Sequence, residues 1–464
     1  MLNWIWMGMI VVGVVVAALM GQLGGETGIV QGILDAVETA VVGIAIPLGA
    51  VMMFWLGIMR LAEKSGIVAV LARWVKPLMR RLFPEVPEDH PAMGAMVMNL
   101  AANMLGLGNA ATPLGLKAMQ HLDELNPKKG TATNSMCTFL AMNTSCITII
   151  PATAIGLLAA QGIPNPTAIV STTLLASFTA TIVAILAVKC FQRLPVFNRG
   201  TSSAEETTHD ADAKAETASS ATKPLSNRAR VWIGLVVVLF LGVAWLETFP
   251  EQRSSLQKAL GLSDAVAHLH AEKASLVAKA ASTDDPVWKR AIGAVSITAI
   301  PFMLVFFLVF AAAQRIPVYE EFIEGAKEGW NVAVRIMPFI VAMLAALAIL
   351  RNSGALFLFQ EMLRPVLEFI HFPPELVPMA LMRPLSGSGS QGILVEIITN
   401  GTIPDLLKYT AATMYGSTET TFYVLAVYFG SVAVRRTRHA LAAGLCADAA
   451  GLISAVVICR LILG

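Results

Sequence analysis

The sequence predicts an all-α polytopic membrane protein with two inverted structural repeats, re-entrant hairpins and discontinuous helices. Three observations predict this fold. Of the 464 residues 56% are hydrophobic and only 14% are charged, whereas a soluble chain carries roughly a quarter charged residues. Long apolar runs recur along the chain, and four of them are interrupted by polar clusters. The interrupted runs follow the same order in the two halves. The composition therefore argues against a soluble enzyme.

The net charge, the cysteines and the histidines argue against further classes of function. A formal net charge of +2 is too small to indicate a nucleic-acid partner. The five cysteines are odd in number, form no CxxC pair and lie mostly in apolar runs. The seven histidines lie outside the apolar runs or at their edges, so no intramembrane Ser-His pair is expected. We therefore predict that the chain is not an enzyme and has no metal or cofactor, with a coupling Na⁺ or H⁺ left open.

Nine stretches are long enough to span a bilayer, which requires about 20 mostly apolar residues. The clean runs are 4–20, 41–59, 168–188, 231–247, 294–313, 331–350 and 440–463. The stretches 131–160 and 409–434 are as long but have polar clusters in their middles. The first run is kept as a helix because it lacks the basic segment of a signal peptide. This gives about nine spans.

Two glycine-interrupted segments, 92–118 and 376–398, are predicted to be re-entrant hairpins. Lys and Arg collect on the cytoplasmic side, and they are concentrated in 60–91, 119–130 and 189–230. These regions share one side only if 92–118 enters the membrane and returns. The N-terminus is then cytoplasmic, and the second hairpin opens from the outside.

The two halves share one order of features. Each has an apolar span (41–59 or 331–350), an amphipathic stretch, a glycine-interrupted hairpin, an interrupted span and a plain apolar helix. The amphipathic stretch near 67–82 is expected to lie in the membrane interface. Because 231–247 adds one crossing, the second repeat is predicted to be inverted.

The interrupted segments are the candidate binding site. Breaks at membrane depth persist only beside protein or a water-filled cavity, and paired breaks in inverted repeats mark the binding site of a transporter. We expect Thr112 or Asn109 to cap a helix starting at Pro113, and Ser390 to cap one starting at Gln391. The alternative is that small residues there only let helices approach closely. The predicted solute-binding residues are Asn103, Asn109, Thr112, Asn143, Thr144, Ser145, Ser386, Ser388, Ser390, Gln391, Ser417, Thr418, Glu419 and Thr420.

Two carboxylates fall within predicted spans. A charge at mid-span costs about 2.5–3.5 kcal/mol on insertion scales, so it is expected to face the interior. Glu419 is a candidate to bind solute or a coupling proton or Na⁺, and Asp448 is a candidate partner of Arg383. A purely structural ion pair is the alternative for Arg383 and Asp448.

Several motifs resemble the spore maturation protein A and B family. NMLGLGNAATPLGLKAMQ and FLAMNTSCITIIPATAIGL resemble its A protein, whereas GAKEGWNVAVRIMPF, LMRPLSGSGSQGI and GSTETTFYVLAVYFGSVAVRRTRHAL resemble its B protein. The chain is thus divided into an A-like repeat (1–198) and a B-like repeat (231–464). The polar, low-complexity linker (199–230) is expected from its composition to be disordered, and it lies outside the resemblance, as does most of an extramembrane helical insert (248–290). The resemblance implies a bacterial inner-membrane protein with nucleoside-recognition, or gate, domains.

These observations predict a secondary transporter or passive carrier of a small polar or anionic solute, nucleoside-like or a carboxylate. Its partners would be the lipid bilayer and the solute, with no nucleic acid and with a homo-oligomer left open. The alternative is a non-transporting scaffold or regulator of envelope or spore-type maturation.

Overall fold

The computed structural model describes residues 2–25, 28–106, 108–198, 227–263, 266, 286–369 and 371–464. Within these ranges the fold is helical and contains no strand; one isolated β-bridge joins Thr131 to Arg436. The predicted all-α class is therefore confirmed. The predicted linker up to residue 226 and most of the predicted insert lie outside the described residues.

The first half contains ten helices in the part that the structure describes. They are α1 (Leu2–Leu19), α2 (Ile29–Glu38), α3 (Ile46–Ser65), α4 (Ile67–Leu82), α5 (Pro91–Met104), α6 (Gly108–Glu124), α7 (Asn134–Thr144), α8 (Ala152–Ala160), α9 (Ile169–Phe191) and α10 (Pro195–Asn198). A π-helical segment, Thr39–Ala45, joins α2 to α3 without a break.

In the described second half, three helices precede the one that contains 331–350. The helices are α11 (Asn227–Thr248), α12 (Pro250–Ala259), α13 (Val287–Ala313), α14 (Val318–Asn352), α15 (Ala355–Phe369), α16 (Val377–Met382), α17 (Gly387–Thr399), α18 (Asp405–Ser417), α19 (Thr421–Val424) and α20 (Ala440–Ile462). A π-helical segment, Leu425–Phe429, extends α19.

Five described helical segments are long and apolar enough to cross a membrane, and they coincide with five predicted spans. They are Ile29–Ser65, Pro166–Phe191, Val231–Thr248, Val287–Ala313 and Ala440–Ile462. The predicted spans 4–20 and 331–350 correspond to shorter apolar helices, Trp6–Leu19 and Ile340–Asn352. The chain is thus a multi-pass membrane protein in contact with lipid.

Two stretches treated as loops in the topology are helical. Residues 29–38 form α2, and α14 begins at Val318 rather than near residue 331. Residues 29–38 are too few to span a bilayer alone, and 318–330 are rich in charged residues, yet α2 packs on α14 and α14 packs on α3. Burial on one face stabilises helices that an apolar-run criterion does not detect.

The hairpin helices also begin earlier than predicted. Helix α6 starts at Gly108 and contains Pro113 inside it, and α17 starts at Gly387 rather than Gln391. Ser386 has an extended backbone and its Oγ accepts the Gly389 N–H at 3.0 Å, so Ser386 and not Ser390 is the cap. Both interrupted spans are discontinuous as predicted, since α7 and α8 are separated by residues 145–151 and α18 and α19 by residues 418–420.

Corresponding helices of the two halves pack against each other. Helix α3 packs along α14, and α9 packs along α20. Two glycines make the α3–α14 contact close, because a Cβ on Gly325 or Gly329 would lie 2.5 Å from the carbonyl oxygen of Leu56 or Met52, respectively. This is the small-residue packing that lets membrane helices approach at backbone distance.

The amphipathic helix α4 has one protein face and one exposed face. Ile67, Val75 and Met79 are buried, whereas Trp74 is 81% exposed. An exposed tryptophan beside basic residues is typical of the membrane interface. The predicted interfacial position of α4 thus fits its packing.

We expect Gly329→Ala to destabilise the protein. The added methyl group would press on the backbone of α3, and overpacking of this kind costs about 1–3 kcal/mol. Thermal unfolding of the purified protein in detergent measures the change. Gly293→Ala is the matched control because nothing lies within 4 Å of a Cβ at that position. Equal unfolding temperatures for the two variants would contradict the close α3–α14 contact.

The inverted orientation of the repeats remains a prediction, and labelling tests it. Lys129 follows α6 and Gly401 follows α17, so the two positions correspond, and both are exposed. In a background without native cysteines, a membrane-impermeant maleimide added to intact cells should label Gly401→Cys and not Lys129→Cys. Permeabilised cells provide the control. Labelling of both positions, or of neither, in intact cells would indicate parallel repeats.

Candidate functional site

The two helix breaks lie against each other. The Glu419 N–H, in the second break, donates to the Thr144 carbonyl at the end of α7, with an N–O distance of 2.7 Å. Gly444 of helix α20 packs against Thr144 in the first half and Thr421 in the second. A Cβ at Gly444 would lie 2.9 Å from the Thr421 methyl carbon and 3.7 Å from that of Thr144. The structure therefore brings interrupted segments of both halves into one region.

Each hairpin tip is bonded to the break of its own half. In the first half the Ile149 N–H donates to the Met104 carbonyl at 3.0 Å. In the second half the Phe422 N–H donates to the Pro384 carbonyl at 3.1 Å. The two bonds occupy corresponding places, and each provides a partner for backbone groups that the helix breaks leave without an intrahelical one.

Arg383 is the buried cation of the site, with 3% of its surface exposed. Its guanidinium donates to the Thr418 carbonyl and, at 3.3 Å, to Thr420 Oγ1. The Arg383 Nη2 atom also lies 3.9 Å from Glu419 Oε2, and its Cζ lies 4.7 Å from the centre of the Tyr415 ring. Arg383 thus joins the tip of the second hairpin to the second break.

The predicted pairing of Asp448 with Arg383 is wrong. Among the described residues, the ion pair that Arg383 forms within 4 Å is with Glu419. Asp448 Oδ2 instead accepts a hydrogen bond of 2.6 Å from Thr421 Oγ1. The chain direction at the break explains this, because it places Glu419 towards Arg383 and Thr421 towards α20.

A cavity of about 510 Å³ opens at the second hairpin tip. Four predicted site residues line it: Ser386, Ser388, Glu419 and Thr420. The cavity lies at the positive end of the α17 dipole, which favours a negative or hydrogen-bond-accepting group. The Glu419 side chain is 59% exposed there and supplies an acceptor. The lining residues that the sequence analysis missed are Leu385, Gly387, Phe422 and Tyr423.

Other predicted residues of the second and first breaks are buried beside this cavity or bonded within their own helices. The hydroxyls of Thr144, Ser145, Ser390 and Ser417 each donate to a main-chain carbonyl of the preceding turn. The Thr418 and Gln391 side chains are buried, and within the described ranges the Thr418 Oγ1 and Gln391 Nε2 atoms have no hydrogen-bond partner. The structure therefore separates cavity-lining residues from residues that shape the breaks.

The first half gathers its polar residues into a separate cluster. Asn103 Nδ2 donates to Asn143 Oδ1 at 3.0 Å, and the Tyr428 hydroxyl donates to the same oxygen at 3.3 Å. Asn99 Nδ2 lies 3.4 Å from the Tyr428 hydroxyl oxygen. Sequence reasoning missed Asn99 and Tyr428. Asn99 could have been found, because it is a polar residue inside an apolar hairpin arm. Tyr428 lies in an otherwise apolar run, where nothing in the sequence marks it as part of a polar cluster.

The two remaining predicted positions, Thr112 and Asn109, lie on α6. Thr112 is half-buried there. The side chain of Asn109 lies outside the described part of the chain, although its backbone belongs to α6.

A second cavity, of about 400 Å³, lies between loops of the two halves and contains no predicted site residue. Glu85 lines it and accepts hydrogen bonds of 3.1 Å from both Asn134 Nδ2 and Ser135 Oγ, at the N-terminus of α7. Beside it, the Arg435 and Arg436 N–H groups both donate to the Gly130 carbonyl at 3.0 Å. These contacts connect the halves at one end of the molecule.

Comparisons with known proteins agree with this architecture. The family model named Gate and described as nucleoside recognition matches residues 45–161 and 333–435. No solved structure matches the chain.

Two curated relatives each match part of the chain. Spore maturation protein A of Bacillus subtilis (strain 168) is 44% identical over 186 residues, which cover 40% of this chain and 93% of that protein. Spore maturation protein B of the same organism is 38% identical over 169 residues, which cover 36% of this chain and 95% of that protein. The chain therefore belongs to the spore maturation protein A and B family of gate-domain membrane proteins.

Proposed function

We propose that the protein is a membrane carrier that binds a small polar solute in the cavity at the second hairpin tip. One observation carries the proposal: the 510 Å³ cavity opens where the hairpin tip and the broken helix meet. Non-helical backbone at membrane depth is tolerated where it is buried in protein or lines a water-filled path. Broken helices around a shared site are the usual architecture of secondary transporters.

The lining favours a neutral polar solute over a carboxylate. Glu419 presents an acceptor to the cavity, which suits hydroxyl or amino groups and repels a second carboxylate. The group that the N-terminus of α17 favours is therefore a neutral hydrogen-bond acceptor. Phe422 and Tyr423 supply aromatic surface, and Tyr423 is 53% exposed. A nucleoside combines sugar hydroxyls with a flat base that can stack on such rings. The description of the matching family model, nucleoside recognition, supports this class.

In this proposal residues 418–420, in the second break, move when the solute binds. Residues 418–420 are fixed by side-chain and backbone bonds from Arg383 and to Thr144 rather than by a continuous helix. A solute that binds Glu419 would shift residues 418–420, because few hydrogen bonds hold this segment. We further propose that the carrier does no chemistry on the solute and uses no cofactor. In this proposal it lies in a bacterial inner membrane with a cytoplasmic N-terminus.

We expect Glu419→Gln to reduce uridine uptake strongly. The change removes a charged acceptor, and such hydrogen bonds contribute about 1.5–3 kcal/mol, which corresponds to roughly 10- to 100-fold in affinity. Uptake of radiolabelled uridine and succinate into proteoliposomes containing the full chain is the measurement. Glu361→Gln is the matched control, because Glu361 is an exposed carboxylate on α15.

Uptake of uridine and not succinate by the wild type, lost in Glu419→Gln and kept in Glu361→Gln, would support the proposal. If the folded wild type takes up neither solute, nor any nucleoside, carboxylate or ion of a wider panel, a non-transporting scaffold becomes the better explanation.

A further inference from the structure

We propose that Asp448 binds and releases a proton in step with occupancy of the cavity, so that the solute moves together with a proton. This inference rests on the proposed function and names the energy source for transport, a proton gradient. It comes from the burial of one carboxylate, the bonds of its two oxygens, its charged neighbours and a comparison with the corresponding position of the first half.

Asp448 is buried and incompletely bonded. Its exposed fraction is 1%. Oδ2 accepts one hydrogen bond of 2.6 Å from Thr421 Oγ1, and Oδ1 has no hydrogen-bond partner among the residues that the structure describes. An ionised carboxylate can accept about four hydrogen bonds, and leaving its charge buried with a single donor is costly. A proton on Oδ1 removes that charge while Thr421 continues to donate to Oδ2.

The charges around Asp448 do not neutralise it. Arg383 and Glu419 are the charged residues close enough to act on it electrostatically, and Arg383 is already engaged by Thr418, Thr420 and Glu419. With all three groups ionised, one negative charge remains in excess, and one proton balances it.

Helices α7, α9, α18 and α19 pack on α20. The titratable or charged residues of these helices, of α20 itself, of the first break and of the α20 N-cap are Cys137, Cys146, Lys189, Cys190, Asp405, Lys408, Tyr409, Tyr415, Tyr423, His439, Cys446, Cys459 and Arg460. Among the described residues, the groups whose charges act on Asp448 are Arg383 and Glu419.

The first half shows that the fold does not require a charge here. In the repeat that the sequence predicts, Ser177 of α9 matches Asp448 of α20. The Ser177 Oγ atom accepts the Thr148 N–H at 3.1 Å. Both side chains thus hold the segment after a helix break, one with a hydroxyl and one with a carboxylate. Because a hydroxyl is sufficient for that structural task, the carboxylate in the second half indicates a task that needs charge.

Thr421 links Asp448 to the cavity. It follows Thr420, which lines the cavity, and precedes Phe422, whose N–H is bonded to the hairpin tip at Pro384. A carboxylate accepts a stronger hydrogen bond than a neutral acid does, so protonation of Asp448 loosens Thr421. The bond that forms is O–H on Oδ1; the proton comes from water on one side of the membrane and returns to water on the other. Coupling of this kind is reciprocal.

Infrared titration of the purified full chain tests proton binding without transport. As the pH is raised, the carbonyl stretch of a protonated carboxylic acid should disappear from the spectrum. We expect Asp448→Asn to remove this titrating band, and Asp405→Asn, a change at an exposed carboxylate, to leave it. Uridine should shift its midpoint by about 0.7–2 pH units, the shift expected for a five- to 150-fold coupling. No titrating band, a band that survives in Asp448→Asn, or a midpoint that uridine does not move would overturn the proposal.

Proteoliposomes with a trapped pH-sensitive dye test the coupling. A proton gradient should drive uridine accumulation and a matching internal pH change in the wild type, and both should be lost in Asp448→Asn. Asp448→Ser, which installs the side chain of the first half, is the second variant, and thermal unfolding confirms that each variant folds. Accumulation that is equal with and without the proton gradient, or that requires Na⁺ instead, overturns the coupling alone. Absence of any uridine uptake by the wild type overturns the proposed function as well, while the infrared band still reports whether Asp448 binds a proton.

Discussion

The need to pair every backbone N–H and C=O group in a medium without water governs this fold. Continuous helices meet that need within themselves, but two helices of this protein are interrupted. The interruptions are satisfied by one another, since the Glu419 N–H donates to the Thr144 carbonyl at 2.7 Å. The hairpin tips provide further partners, at Met104 for the first break and Pro384 for the second. Contact between the two halves therefore contributes to the stability of both breaks.

Arg383 performs the same task with a side chain. A guanidinium has five N–H donors in a fixed planar arrangement, and here it donates to the Thr418 carbonyl and to Thr420 Oγ1 while lying over Tyr415. Lysine could not replace this geometry. A buried cation is stable only with such partners, so the hairpin tip and the break hold each other in place. The carboxylates of Glu419 and Asp448 then lie on opposite sides of that junction, one exposed to the cavity and one buried.

Features that depend on composition along the chain were predictable from the sequence. Five predicted spans are apolar helices long enough to cross a bilayer, and the polar clusters in 131–160 and 409–434 coincide with real breaks. Helix starts were not predictable to the same degree. Serine occupies alternate positions through 386–390, each able to cap a helix, and the extended backbone at Ser386 selects the first.

Features that depend on contacts between distant segments were also missed. The partner of Asp448 is Thr421 rather than Arg383, because the turn of the chain between residues 418 and 421 decides which side chain faces α20. Tyr428 belongs to a polar cluster with Asn99 and Asn143 that spans both halves. Helix α2 is short, and Gln31, Asp35 and Glu38 interrupt its apolar residues, so its packing against α14 becomes evident only in three dimensions.

The packing of α3 on α14 and of α9 on α20 has a consequence for synthesis. Each half supplies one side of these interfaces, so a half made in excess would carry helix faces and backbone groups with no partner in the membrane. A single chain makes the two halves in equal number, and it holds them at an effective concentration far above that of two separate proteins diffusing in a bilayer. The covalent connection thus fixes the stoichiometry of the assembly, whereas the interfaces, closed at one end by Gly130 and Arg436, fix its shape.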